Sequence, residues 1–147
     1  MEVLLKGMRA VAEPTRLRIL IACSRTELTV TDLTQILGQS QPRVSRHLKL
    51  LVDARVLDRN REGTWAYYRL STDGPWDNLT STLISLIPAR DTVLNKDLER
   101  LATVKRVRAD WATAYFRRNA AQWDRVRSLH VDEAEVERAL KAVLVPK

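Results

Sequence analysis

The sequence is poor in residues that form disulfides or bind metal ions. Among 147 residues there is one cysteine, Cys23, and there are two histidines, His47 and His130. A single cysteine excludes an internal disulfide framework and is typical of a reducing compartment. A zinc or arsenite site needs three or four thiolate or imidazole ligands brought together, and these three residues lie far apart along the chain. We therefore predict no metal site.

Long apolar runs and recognisable catalytic motifs are also missing. No run of about eighteen or more apolar residues occurs, and no charged segment followed by an apolar one suggests an export leader. We therefore expect a cytoplasmic protein that has no membrane partner. Neither a Ser-His-Asp spacing nor paired carboxylates are recognisable, so we expect no enzyme activity.

What the sequence contains is an excess of basic residues, concentrated in one stretch. The whole chain has 25 Lys and Arg against 18 Asp and Glu, for a net charge of +7. Between Ser40 and Arg69 there are seven basic residues and three acidic ones. Such a local excess is the electrostatic footprint of contact with phosphates.

The stretch from 28 to 51 predicts two short helices joined by a tight turn. Thr29 can cap the first helix, and Asp32 adds negative charge at the positive end of its dipole. Gly38 can adopt the left-handed conformation that ends this helix, and Pro42 suits the first turn of the next one. Taken alone, the stretch also fits an ordinary pair of helices with a solvated basic face.

The residues that follow favour a DNA-binding fold. Residues 57 to 70 predict a β-hairpin with Gly63 at its tip. Arg59 and Arg61 share one face of the first strand, while Tyr68 is predicted to face inward on the return strand. A helix-turn-helix followed by a basic hairpin is a winged helix. We therefore predict a mainly α fold with a small β-hairpin wing, a winged helix-turn-helix followed by long C-terminal helices.

The C-terminal part differs in character. Residues 90 to 127 are highly charged and contain neither glycine nor proline, which predicts one or more long helices. Their narrow apolar seam favours pairing with another helix. A final helix is predicted from Asp132, with Glu135 completing a capping box. We place one domain at 1 to 88, for DNA binding and dimerisation, and a helical extension at 89 to 147.

Three segments carry a family resemblance. The runs AEPTRLRIL, ELTVTDLTQILGQSQPRVSRHLKLL and REGTWAYYRL resemble the ArsR family of bacterial winged-helix repressors, over about residues 1 to 90. The resemblance implies a homodimer that binds an inverted-repeat operator in double-stranded DNA and is released by an inducer, whose identity the sequence does not define. It implies that DNA contacts fall on Ser40, Gln41, Arg43, Ser45, Arg46 and His47, and that wing contacts fall on Arg59 and Arg61.

The resemblance also implies a dimer interface and a short extra strand. The interface is formed by the first helix and the helix after the wing, whose apolar residues are Leu4, Met8, Trp76, Leu79 and Leu83. Packing of these residues within one chain is the alternative. A strand at residues 27 to 29 is expected beside the wing.

The inducer site of metal-sensing members is not matched. Such members place paired cysteines in the segment ELTVTDL, where this chain has Thr29 and Thr31, and others place His and Asp on the helix after the wing. We therefore expect a regulator that does not sense metal through the usual Cys or His sites. Its signal should enter through the helical region after Pro88 or through a domain beyond Lys147.

A second resemblance covers residues 115 to 140, which look like the lead-in to an S-adenosylmethionine-dependent methyltransferase domain fused to an ArsR-like domain. Binding of that cofactor needs a glycine-rich turn, and no glycine follows Gly74. We therefore expect no cofactor. Three functions stay open: a DNA-binding regulator, the DNA-binding and linker fragment of a regulator-methyltransferase fusion, and a protein-interaction module.

Overall fold

A computed structural model describes residues 1–130, with side chains as far as Arg127. Within this range the chain forms α1 (Glu2–Val11), α2 (Pro14–Arg25), α3 (Val30–Leu37), α4 (Gln41–Asp53), β1 (Leu57–Glu62), β2 (Trp65–Leu70), α5 (Trp76–Leu86) and α6 (Thr92–His130). This is the mainly helical winged helix-turn-helix that the sequence predicted. The helix predicted from Asp132 and the side chain of His130 lie outside the described range. None of the described helices is long and apolar enough to span a bilayer.

The helix-turn-helix begins and ends where local signals predicted. Thr29 Oγ1 accepts a hydrogen bond from the backbone N–H of Asp32 at 3.2 Å, and Asp32 Oδ2 accepts one from Thr29 N–H at 2.8 Å. Gly38, with φ of 64°, ends α3 in the left-handed conformation. Ser40 is the N-cap of α4, and Pro42 lies in the first turn of that helix. These signals decide which residues of α4 face outward.

One apolar core joins α2, α3, α4 and the base of the hairpin. Its most buried members include Ile19, Leu20, Leu28, Leu33, Ile36, Val44, Leu48, Leu51, Val56 and Leu57. Burying each such side chain is worth about 1.5–3 kcal/mol relative to leaving it exposed. Because this core fixes the inner face of α4, the opposite face of that helix is turned to solvent.

The hairpin is a two-stranded antiparallel sheet with Gly63 at its tip, where φ is 62°. Leu28 pairs with Tyr68 through backbone hydrogen bonds of 3.0 and 2.8 Å, so the strand expected at residues 27 to 29 is reduced to a single bridge. Arg59 lies opposite Tyr68 in the register. Directly opposed side chains project from the same face. The arginines of β1 therefore share a face with Tyr68, whose ring is buried while Arg59 is exposed.

Trp76 is buried inside its own chain, with 2 % of its surface exposed. It packs against Gly7 of α1, where an added Cβ would collide with the six-membered part of the indole ring. Glycine thus allows the close approach of α1 to the ring. Trp76 was expected to form the dimer interface, and the structure places it in the core instead, where it has almost no surface to offer a partner.

The chain divides into two compact units, Met1–Lys105 and a second that starts at Arg106. The first unit extends beyond the expected boundary at residue 88 because Leu101 and Val104, early in α6, belong to its core. In the second unit α6 carries large apolar side chains that are exposed: Val107, Trp111, Tyr115, Phe116, Trp123 and Val126. The long helix predicted after residue 90 is thus one continuous element in the described range. The buried residues of its apolar seam, Leu101 and Val104, lie in the first unit.

Candidate nucleic-acid interface

The solvent-facing side of α4 presents two arginines without partners. Arg43 and Arg46 are three residues apart, so they lie next to each other on the helix surface, and both are exposed with Ser45 between them. Within the part of the chain that the structure describes, neither guanidinium makes a hydrogen bond or an ion pair. Both are therefore available to a phosphate or to the O6 and N7 atoms of guanine.

The N-terminus of α4 adds polar groups at the same surface. Ser40 and Gln41 are exposed, and the Ser40 hydroxyl makes no capping hydrogen bond within the helix. The first N–H groups of a helix lack partners inside it and carry the positive end of its dipole, which favours an anion. The start of α4 is therefore chemically suited to a DNA phosphate beside the arginines.

His47 turns inward, away from the expected DNA contacts. Its side chain is 16 % exposed, and its Nδ1 lies 3.7 Å from Glu13 Oε2. The same nitrogen lies 3.5 Å from Arg16 Nη1. The ring therefore connects α4 to the start of α2, and direct contact with DNA would require it to leave both neighbours.

Glu13 is the centre of this support and was missed from the sequence. Its side chain accepts a hydrogen bond of 2.8 Å from the backbone N–H of Arg16 and so caps α2. Burial raises the pKa of Glu13, but backbone hydrogen bonds from Arg16 and Thr15 and the charges of His47 and Arg16 lower it, and the net pKa lies below the usual value. The available signal was its position immediately before Pro14, which marks the residue as an N-cap.

The wing adds further basic residues. Arg59 and Arg61 are exposed, and neither has a hydrogen-bond or ion-pair partner among the side chains that the structure describes, as far as Arg127. Arg69 differs because it lies 3.7 Å from a carboxylate oxygen of Glu27. Trp65, just after the hairpin turn, is 56 % exposed and was not singled out from the sequence. Trp65 lies opposite Glu62 in the register, so its ring projects from the hairpin face opposite to that of Arg59 and Arg61.

Four of the five residues expected at a dimer interface share one region of the first unit. Met8, Leu79 and Leu83 line a cavity of ≈ 210 Å³ between α1, α2 and α5. Leu4 lies one turn before Met8 on α1, and these two side chains are 39 % and 48 % exposed. The arrangement is an apolar surface formed by α1 and α5.

The lone thiol is not reactive in this fold. Cys23 is buried, and burial raises the pKa of its thiol to about 12. The nucleophilic and metal-binding form of cysteine is the thiolate, so this side chain remains a thiol near neutral pH. Among the described residues, no three His, Cys, Asp or Glu side chains are grouped as metal ligands. Thr29, where the resemblance led us to compare this chain with cysteine-bearing metal sensors, caps α3.

Comparisons with known proteins agree with this geometry. Residues 13–59, which cover α2, α3, α4 and the start of β1, match the family described as "Bacterial regulatory protein, arsR family". Over 96 residues the chain is 38% identical to the arsenic resistance transcriptional regulator ArsR1 of Pseudomonas putida, spanning 64% of this chain and 73% of that protein. It is 44% identical over 68 residues to the arsenical resistance operon repressor of Escherichia coli, spanning 46% of this chain and 58% of that protein. Among solved structures, HlyU from Vibrio cholerae superposes with a TM-score of 0.54 and 27% identity, over 58% of this chain and 91% of that one.

Proposed function

Because this chain belongs to the arsR family of bacterial regulatory proteins, we propose that it is a homodimeric repressor of transcription that binds an inverted-repeat operator in double-stranded DNA. The observation that carries the proposal is the exposed basic surface of α4 and the wing. Its four arginines, Arg43, Arg46, Arg59 and Arg61, have no acidic partner in the described part of the chain. A surface that leaves cations unpaired is complementary to a polyanion.

The two parts of this surface have different roles in the proposal. The α4 helix enters the major groove, where Arg43 and Arg46 face the base edges and Ser40 and Gln41 face the backbone. Arg59 and Arg61 contact phosphates beside the groove. The first group supplies sequence preference and the second supplies affinity.

One α4 helix can contact only a few base pairs, and this is the reason for proposing a dimer. Two such helices related by a two-fold axis reach successive major grooves about 34 Å apart, which doubles the sequence that is read. The apolar surface of Leu4, Met8, Leu79 and Leu83 is the proposed interface. Met8 is 48 % exposed in the single chain, so this surface has area available for a second copy.

The signal that controls the repressor is proposed to be something other than a metal ion. The named relatives in Pseudomonas putida and Escherichia coli are arsenic-resistance regulators. This chain has Thr29 and Thr31 where metal-sensing members carry cysteines, and its Cys23 is buried. The absence of metal response, and of enzyme activity and cofactor, stays a prediction to be tested on the complete protein.

The first experiment identifies the operator by selection from a pool of random DNA duplexes. We expect an inverted repeat whose half-sites are spaced by about one helical turn, 10–10.5 base pairs, and whose affinity falls as salt is raised. The matched control is the double variant Arg43→Ala and Arg46→Ala, which should enrich no sequence. Failure of the wild-type chain to enrich any sequence, or affinity that does not depend on salt, would overturn the proposal.

The second experiment measures the oligomeric state by light scattering. We expect a dimer for the wild-type chain and a monomer for Met8→Asp, since a charge in an apolar interface has no partner. Arg9→Asp, at the adjacent exposed position of α1, is the control and should remain a dimer. A monomeric wild-type chain at micromolar concentration would contradict the dimer.

Exposed aromatic residues on α6 favour a second candidate function, that of a protein-interaction module. Trp111 and Phe116 are 68 % and 64 % exposed in the second unit, and such side chains are enriched where proteins meet. The likeness of residues 115 to 140 to a methyltransferase lead-in, and hence the fusion-fragment alternative, stays a prediction. Residues 131 to 140 of that segment lie outside the described range. Absence of operator binding by the complete chain would favour these alternatives over the repressor.

A further inference from the structure

An apolar cavity lies between α2, α5 and the first turns of α6, within the first unit. Its volume is ≈ 510 Å³, inside the range of about 300–1,000 Å³ typical of sites for small molecules. Eight of its ten lining residues are apolar, including Leu17, Leu83, Ile87 and Leu94, and the other two are Arg18 and Asp91. Leu17 and Arg18 are half-buried on α2. The cavity is therefore an open groove between three helices, with half-buried residues along its α2 wall.

The two charged residues that line the cavity already have partners. Arg18 donates to both carboxylate oxygens of Asp97, at 2.6 and 2.8 Å, and this hydrogen bonding raises the pKa of Arg18 further. Asp91 Oδ1 accepts a hydrogen bond of 2.9 Å from Leu94 N–H and caps α6. An anionic ligand would lose its hydration, find the charge of Arg18 already paired with Asp97 and be repelled by the Asp91 carboxylate. A cationic ligand would lose its hydration against a mainly apolar lining. The cavity is therefore suited to an uncharged, largely apolar molecule.

The wall of the cavity also contacts the helix-turn-helix. Arg18 Nη2 donates a hydrogen bond of 3.1 Å to the carbonyl oxygen of Leu37, the last residue of α3. Arg100, on α6, donates one of 3.1 Å to the carbonyl oxygen of Ile36. Both cations lie at the negative end of the α3 dipole, where they stabilise the helix. Any change in the position of Arg18 or of early α6 therefore acts on the turn that leads into α4.

We propose that this cavity is the effector site of the regulator and that it takes a small, uncharged, mainly apolar molecule. Binding moves the first turns of α6, weakens the contact between Arg18 and the end of α3, and lowers affinity for DNA. The effector role rests on the proposed function as a repressor, whereas the existence of the ligand site does not. Coupling between two binding sites is reciprocal. A ligand that lowers affinity for DNA must therefore itself bind less tightly when DNA is bound.

The site is tested with N-phenyl-1-naphthylamine, an uncharged apolar dye that fluoresces when it leaves water. The dye is excited directly and titrated onto the full chain without DNA. We expect a saturable rise in fluorescence that is lost in Leu94→Trp, which fills the cavity, and kept in Leu98→Trp, one turn further along α6 at a 37 % exposed position outside the cavity. Val93→Trp fills the rim from a 48 % exposed position and tolerates the larger side chain if Leu94→Trp does not fold. No saturable rise, or equal binding by the filled variants, overturns the site.

The coupling is tested by measuring operator affinity with and without saturating dye. We expect the dye to weaken DNA binding by about 5-fold or more in the wild-type chain and in Leu98→Trp, and not in the filled variant. Equal DNA affinity with bound dye overturns the effector role. A chain that binds dye but no DNA overturns the proposed function and with it the effector role, while the ligand site stands.

A second copy of the chain is the competing occupant, because Leu17 and Leu83 also line the cavity beside the proposed dimer interface. Dye binding is therefore measured across protein concentrations that span dimer formation. Binding to the dimer supports the small-molecule site. Binding to the monomer alone would show that the second copy covers the cavity, and this result overturns the small-molecule site.

Discussion

Arginines lie on both sides of the helix-turn-helix, and their surroundings are opposite. On the outer side Arg43 and Arg46 are exposed and have no partner in the described residues. On the inner side Arg18 is 17% exposed and bonded to Asp97, and Arg100 binds the carbonyl oxygen of Ile36. The same type of side chain is thus left unpaired in one place and is used by the fold itself in the other.

The comparison shows that a count of charges does not locate a binding surface. What distinguishes the outer arginines is that the fold leaves their charge unpaired, so that DNA can neutralise it. The inner arginines contribute to the net charge of +7, but their hydrogen bonds are used within the chain. Substitutions on the two sides should therefore affect different quantities: stability on the inner side and DNA affinity on the outer side.

The largest effect is expected from Asp97→Ala, which removes the partner of Arg18. Asp97 is 4% exposed, and breaking a buried ion pair costs about 3–5 kcal/mol because the remaining charge stays buried without a partner. Since Arg18 is partly exposed, we expect a value near the lower limit, measured as the free energy of unfolding in urea. Asp110→Ala, at an exposed site on the same helix, is the control and should change stability by less than about 0.5 kcal/mol. An equal effect in both variants would contradict the comparison.

The second-largest effect is expected from substitutions on the outer side, and it is measured as a loss of DNA affinity. Arg43→Ala or Arg46→Ala should each weaken operator binding, by about 1–3 kcal/mol where the arginine contacts guanine. Thermal stability should not change, because neither guanidinium has a partner in the described fold to lose. Fluorescence anisotropy on operators altered at one position per half-site shows which arginine reads a base. Unchanged DNA affinity in both variants would remove α4 from the interface.

Local features of the fold were predictable from the sequence, and long-range ones were not. Thr29, Gly38 and Pro42 act on backbone groups a few residues away, so their residue types alone predicted the helix ends. Arg18 and Asp97 are 79 positions apart. No pattern in the sequence identifies such a pair.

The same limit explains the residues that the structure places differently. The sequence cannot tell whether an apolar residue on a helix face belongs to the core or to an interface. Its burial and its contact with Gly7 show that Trp76 belongs to the core. His47 lies among outward-facing residues of α4, and Glu13 together with Arg16 draws it inward. For the outer arginines the sequence was sufficient to predict exposure, because the apolar residues of α4 define its inner face.

A smaller effect is expected from Glu13→Gln, at the junction between the two sides. The glutamine amide can still cap α2, so the variant removes mainly the negative charge, worth about 0.3–1 kcal/mol near a helix N-terminus. Because the pKa of Glu13 is lower in the folded chain, the ionised carboxylate stabilises the fold above its unfolded pKa of about 4.3. This contribution is lost as the pH falls through the folded pKa. Urea unfolding of both proteins should therefore differ at pH 7 and converge in acid, once the pH is below the folded pKa of Glu13. A difference that persists in acid would point to lost packing and not to charge.

The smallest effect should come from the wing, and it tests whether unpaired arginines differ among themselves. Arg59 and Arg61 are as free of partners in the described residues as Arg43 and Arg46, but they lie on a hairpin face whose base is occupied by Tyr68. A phosphate contact carries no sequence information, so Arg59→Ala or Arg61→Ala should weaken binding to all duplexes evenly. The slope of log affinity against log salt should become shallower by about one for each arginine removed. Trp65→Ala, which keeps the charge, is the control and should leave the salt slope unchanged. A change in base preference in either arginine variant would show that the wing contacts bases. The proposed division, with base contacts from α4 and phosphate contacts from the wing, would then be wrong.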